Sequence, residues 1–189
     1  MTKTKSKNFL EIQDLEDCKL INMPAFKDER GTFCEMFREE DYLDMHFIQD
    51  NFSHSISKGT FRGLHFQSPP YAQSKLVSVL SGSIIDFFVD LRFESKTFLM
   101  HSSYILNADS YNSLLIPKGF AHGFLTLEDN TIVSYKVDNY FSSEHDNTLL
   151  WSDSEINLTL DSVDIVHIST KDKHGLTIKE LLSQGLINA

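Results

Sequence analysis

Residues 59–67 read GTFRGLHFQ, and residues 117–123 read PKGFAHG. Each segment sets one histidine, His65 or His122, close to glycine. From about residue 75 the surrounding chain is a series of short apolar runs: KLVSVLSG, SIIDFFVDLR, TFLMHSSYIL, SLLIPKG, HGFLTL and TIVSYKVDNYF. They are rich in Val, Ile, Phe and Tyr and are separated by SG, NADS, PKG and EDN. Short strands at a spacing of roughly 8–12 residues predict a β-sandwich or barrel. Gly82 and the EDN at 128–130 are expected to close hairpin loops. EEDYLDMHF at 39–47 has apolar residues at helical spacing after an acidic start, which predicts a short helix. LTIKELLSQ at 176–184 predicts a second, amphipathic one. The expectation is a mostly β single domain over residues 1–189, with short flanking helices.

Composition narrows the function. Hydrophobic residues make up 41% and charged residues 23%, enough to bury a core. The formal net charge of -10 argues against nucleic-acid binding, which needs basic surface. No apolar run approaches the ~20 residues of a membrane span, and the N-terminus lacks the apolar stretch of a secretory signal. Cys18 and Cys34 show no CxxC spacing, which fits reduced thiols in the cytoplasm. The arginines are few: Arg30, Arg38, Arg62 and Arg92. Placed arginines on an acidic chain suggest a local anion pocket, since guanidinium binds phosphate bidentately. Arg30 and Arg62 each precede a glycine. Arg38 and Arg92 read instead as partners of nearby carboxylates.

The two glycine-histidine segments resemble the two motifs of a cupin, a jelly-roll β-barrel. A metal-binding cupin presents histidines one residue apart, because alternate strand residues share a face and aim both imidazoles inward. Here Gln67 takes the second position, no glutamate follows in SPPYAQSK, and Lys75 lies close by. An amide is a poor ligand and an ammonium repels a cation, so no metal is expected.

RGLHFQ (62–67), AQSKLV (72–77), GSIIDFFVDLR (82–92), IPKGFAHGF (116–124), YKVDNYF (135–141), LLWSD (149–153) and DERGTFCEMF (28–37) together resemble the dTDP-4-dehydrorhamnose 3,5-epimerases. The resemblance runs in order from about residue 20 to about residue 175. It implies a cofactor-independent epimerase of a dTDP-4-keto-6-deoxy sugar. A 4-keto group acidifies the C–H bonds at C3 and C5. Epimerisation then needs a base, an acid on the opposite face, and a group to hold the enolate oxygen.

The resemblance assigns these roles. His65 is the base, and an imidazole titrating near about 6.5 suits the task. Asp172, in HISTKDKHG, would fix its tautomer. Lys75 is the cation at the enolate oxygen. Tyr140 is taken as the acid. Tyr135 lies five residues earlier, on the opposite face of an unbroken strand, and is left as a structural or pocket-lining residue. Arg62, His122 and Asp146 fall to the sugar or diphosphate. Arg30, Glu35, Gln49 and Asn51 fall to the nucleotide, some of them supplied by a partner protomer in a homodimer with an exchanged N-terminal strand. Asp86 and Asp90 share a strand face but receive no catalytic role, and Asp90 could equally pair with Arg92.

The chain departs from the family pattern after Trp151, which is followed by SDSEINLTLDSVD without a further Trp or Pro, and at Phe141, where a second tyrosine is frequent. The sugar therefore stays open, and an epimerase of C3 or C5 alone is the neighbouring alternative. A cupin ligand-binding module without turnover is another.

Overall fold

The computed structural model describes residues 8–11, 15, 17–42, 45–160 and 163–187. Two sheets dominate them. The first runs β1 (Asn8–Glu11), β2 (Lys19–Asn22), β10 (Asn112–Ile116), β7 (Lys75–Ser81), β12 (Thr131–Val137) and β5 (Gln49–Ser55). The second runs β13 (Asp146–Thr148), β6 (Thr60–Gln67), β11 (Phe120–Thr126), β8 (Ser83–Asp90) and β9 (His101–Asn107), with β14 (His167–Ile168) parallel to β6. A separate hairpin joins β3 (Ala25–Asp28) to β4 (Gly31–Cys34).

From β5 to β8 and from β10 to β13 the chain changes sheet at every connection. This is jelly-roll wiring, and it corrects the two expected hairpins. Gly82 joins β7 to β8, and residues 128–130 join β11 to β12, so both turns carry the chain between sheets. Local turn chemistry is alike in the two cases, and only strand pairing separates them. The turns pack together: Gly82 has φ +76°, and a Cβ there would sit 2.4 Å from Thr131 Oγ1. Only glycine fits that corner.

The strands read as unbroken apolar runs because both of their faces are covered. Between the sheets lie Val77, Val79, Leu114, Ile116 and Val133 from one and Ile84, Phe88, Phe120 and Phe124 from the other. The outer face of the second sheet carries Phe61, Leu64, Phe66, Phe87 and Leu125 under Ile156, Ile178 and Leu181 of the C-terminal segment. Neighbours such as Phe87 and Phe88 thus serve different cores. Burying such a ring stabilises the fold by about 1.5–3 kcal/mol.

Of the helix expected at 39–47, residues 43 and 44 lie outside the described residues, and the described ones contain no α-helix. Glu39–Asp41 makes a single 3-10 turn, and Arg38 before it provides no side-chain cap. Phe37, Tyr42 and Phe47 instead pack as an aromatic cluster, with ring centroids 5.4 to 5.7 Å apart. That cluster covers Ile21, Leu76 and Leu115 on the outer face of the first sheet. Aromatic burial outweighs the modest helical preference of an acidic run. The C-terminal helix is present as α2 (Ile178–Ser183), started by a Thr177–Glu180 capping box. It follows an unexpected short helix, α1 (Thr170–Lys173), capped by the side chain of Ser169.

Candidate active site

Residues of both sheets and the 166–173 segment line a cavity of about 660 Å³. The volume suits a small-molecule site. It shares the inward faces of the strands with the apolar core, so the space between the sheets is part packed and part open and polar.

The architecture of β6 decides which side chains enter it. His65 pairs with His122, yet Arg62 pairs with Phe124, so β6 uses one residue more than β11 over this span. The extra residue is a bulge. Without it Arg62 and His65, three residues apart, would face opposite ways. With it both reach the cavity, while Phe61, Leu64 and Phe66 keep the outer core. Gly63 makes this possible: its φ is +130°, and a Cβ would lie 2.5 Å from Gly123 Cα. The N–H of Gly63 donates to Asp172 Oδ2 at 3.3 Å.

Asp172 is buried on α1, and its Oδ1 stands 2.7 Å from His65 Nε2. Burial pushes its carboxyl up, but the hydrogen bonds from His65, Gly63 and Ser169 outweigh this and hold it below the usual range. A carboxylate can only accept, so Nε2 carries the proton and a neutral ring keeps its lone pair on Nδ1. That arrangement is a base held in one tautomer.

Lys75 begins β7 on the facing sheet and donates from Nζ to the His65 carbonyl at 3.0 Å. Burial pushes its pKa down to about 8, opposed by the charges of Asp146 and Asp86. His122 is buried, with Nε2 hydrogen-bonded to Asp86 Oδ1. Burial lowers its pKa, which favours the neutral ring, against the opposing pull of Asp86. Asp86 Oδ2 is also buried and has no hydrogen-bond partner among the described residues.

Of the tyrosines, Tyr135 takes one of the two places left open for it and Tyr140 does not take the expected one. Tyr135 is half-buried on β12, packs against the inner core and lines the cavity. Tyr140 lies past the end of β12, is 61% exposed, and is not among the lining residues. The parity argument fails because the strand stops at Val137. Arg62, Asp146 and His122 line the cavity. Lys171, next to Asp172, is paired with Asp146. Arg30 and Glu35 are outside this chain's cavity: Arg30 is fully exposed and bonded to Asp28, and Glu35 accepts two hydrogen bonds from Arg38. Gln49 and Asn51 are bonded to each other on β5, and Gln49 Oε1 also accepts from the Phe141 N–H. Asp90 is buried against Arg92, Ser95 and Thr97.

Sequence reasoning passed over Asp86, Phe141 and Lys171 as site residues. Asp86 carried a legible sign, since an inward-facing aspartate within IIDFFVD needs a partner. Lys171 was visible only as the neighbour of Asp172. Among the described residues no three or more His, Cys, Asp or Glu side chains gather to hold a metal, and no helix is long and apolar enough to cross a membrane.

Comparison with known proteins agrees with this geometry. The family model described as dTDP-4-dehydrorhamnose 3,5-epimerase matches residues 12–180. A protein of that name from Sinorhizobium fredii is 39% identical over 177 residues, covering 92% of this chain and 91% of its own. The crystal structure of dTDP-4-dehydrorhamnose 3,5-epimerase from Bacillus anthracis, with TDP and PPi bound, superposes with a TM-score of 0.87 at 42% identity, covering 92% of this chain and 100% of that one. The epimerase of Legionella pneumophila, in complex with dTDP-4-keto-L-rhamnose, gives 0.90 at 35% identity, covering 96% and 97%. With a jelly roll, a histidine backed by aspartate and a buried lysine on one cavity, the chain belongs to the dTDP-4-dehydrorhamnose 3,5-epimerase family.

Proposed function

We propose that this protein epimerises dTDP-4-dehydro-6-deoxy-D-glucose at C3 and C5, on the way to dTDP-L-rhamnose or a related deoxysugar. One observation carries the mechanism: His65 stands on one sheet and Tyr135 on the facing sheet of the same cavity. Inversion needs a base and an acid on opposite faces of the sugar ring. His65 Nδ1 takes the proton from the carbon next to the ketone, and Asp172 supports the imidazolium. Charge moves to the ketone oxygen, where the buried Lys75 ammonium receives it. The Tyr135 phenol then returns a proton from the other side. Its burial raises its pKa, against the pull of Arg62, so the hydroxyl keeps its proton at neutral pH. Once His65 has released its proton to solvent and the Tyr135 phenolate has regained one, the same groups serve the second carbon. Tyr135, rather than Tyr140, is thus the acid we assign.

Arg62 and Lys171 at the cavity wall suit the diphosphate. A homodimer completes the nucleotide subsite: the β3–β4 hairpin exposes Phe26 (48%) and Phe33 (69%), and β5, an edge strand, exposes Phe52 (75%). In that assembly the hairpin would bring Arg30 and Glu35 to the neighbouring protomer's cavity. A cytoplasmic location belongs to the same proposal, on the cysteine spacing alone.

Proton exchange in heavy water tests the reaction. With dTDP-4-keto-6-deoxyglucose, NMR is expected to show deuterium entering at C3 and C5, and none with His65→Asn. Tyr135→Phe is expected to keep exchange but slow inversion by about 10²-fold, while Tyr140→Phe stays near wild type. Exchange at one carbon would make the protein a mono-epimerase. No exchange at either would make it a binding module.

A further inference from the structure

The segment 138–142 belongs to no helix or strand, yet its backbone is held at nearly every residue by side-chain amides. Gln67 is buried at the end of β6 and uses its whole carboxamide. Its Nε2 donates to the carbonyls of Tyr71 at 2.6 Å and Tyr140 at 3.1 Å, and its Oε1 accepts from the Ser142 N–H at 2.6 Å. Gln49 accepts from the Phe141 N–H at 3.1 Å, and Gln73 donates to the Asn139 carbonyl at 2.8 Å. The side chain of Phe141 is what this clamp presents: the residue is 59% exposed, yet it lines the cavity.

We infer that Gln67 is a positioning residue for nucleotide binding, acting by fixing residues 140–142 so that Phe141 is held at the cavity mouth. This rests on the assignment of the cavity to a nucleotide sugar. The chemistry requires a carboxamide. Two carbonyls need donors and one N–H needs an acceptor, from a single side chain. A carboxylate lacks the donors, an ammonium lacks the acceptor, and an imidazole has too few atoms to meet all three. The position where a metal-binding cupin carries a ligand is used here to order a loop. A ring held in place before binding loses little freedom when a planar base stacks on it, so its contribution appears as affinity rather than turnover.

The test is a double-mutant cycle read by calorimetry with dTDP and by steady-state kinetics. Gln67→Met keeps the volume and removes all three hydrogen bonds. It is expected to weaken dTDP binding and raise KM by about tenfold, with kcat within about threefold of wild type. Phe141→Ala is expected to do the same, and the double mutant to be no weaker than Phe141→Ala alone. Thermal unfolding checks that each variant folds. If Gln67→Met does not, Gln67→Glu, which keeps the acceptor and loses both donors, is read in the same way. Additive losses, unchanged affinity, or a fall in kcat at constant KM would overturn the inference. The dTDP cycle does not depend on turnover: coupled losses without proton exchange would sink the proposed reaction and leave Gln67 in its role. Normal turnover with additive losses would do the reverse. A wild type that binds no dTDP would overturn both.

Discussion

Two histidine–aspartate pairs stand side by side in this cavity, joined through the β6–β11 register at His65 and His122. They are alike in chemistry and unlike in setting. The His65 side chain is 34% exposed, and its partner Asp172 comes from a short helix near the C-terminus. The His122 side chain is 8% exposed, and its partner Asp86 is fully buried on the adjacent strand. Asp172 is served by a backbone N–H as well as by its histidine, whereas one oxygen of Asp86 has no partner among the described residues. The open pair reaches solvent, as the base we propose requires. For the closed pair burial opposes a charged ring, which suits a fixed polar contact to the sugar. Environment, not residue type, separates the base we propose at His65 from the sugar contact we propose at His122.

The largest effect should come from breaking the open pair. Asp172→Asn turns an obligate acceptor into a possible donor and lets the ring proton move to Nδ1. Turnover is expected to fall by about 10³-fold or more with little change in dTDP affinity. A loss below tenfold would remove Asp172 from the mechanism.

Breaking the closed pair should cost less activity and little stability. Asp86→Asn is expected to lower kcat/KM by about tenfold, chiefly through KM, because the ring is reoriented rather than disarmed. The melting temperature should hold or rise, since a buried carboxylate with an unmet oxygen is removed. If this variant matched Asp172→Asn in its loss of kcat, the distinction between the pairs would collapse.

The smallest effect is a pH limb. Burial lowers the Lys75 pKa to about 8, so its ammonium is present below that pH and lost as pH rises through it. The rate is expected to fall above about pH 8. Lys75→Arg keeps its charge to high pH, so its lower activity should lack that limb. A limb unchanged in this variant would assign the titration to another group.

Much of the candidate site was legible through the family resemblance. RGLHFQ, AQSKLV and the aspartate of STKDK name His65, Lys75 and Asp172, and the structure brings all three to one cavity. Tyr135 against Tyr140 was not legible, because parity holds only while a strand continues and β12 ends between them. Nor was the bulge at Gly63, which a glycine announces as a special position without saying which neighbours it turns.

By itself the sequence determined a β-sandwich or barrel, through short β-branched and aromatic runs at even spacing, and the chemical inventory of imidazole, ammonium, carboxylate and phenol; the jelly-roll class came from the resemblance of its two glycine-histidine segments to cupin motifs. Tertiary structure decided which turns are hairpins and which change sheet, which tyrosine lines the cavity, and that Phe37, Tyr42 and Phe47 pack as an aromatic cluster beside a single 3-10 turn. The reason is common to all three. Propensity and pattern act along the chain over a few residues. Facing, pairing and burial are set by contacts with residues far away in sequence, whose energies exceed local preference.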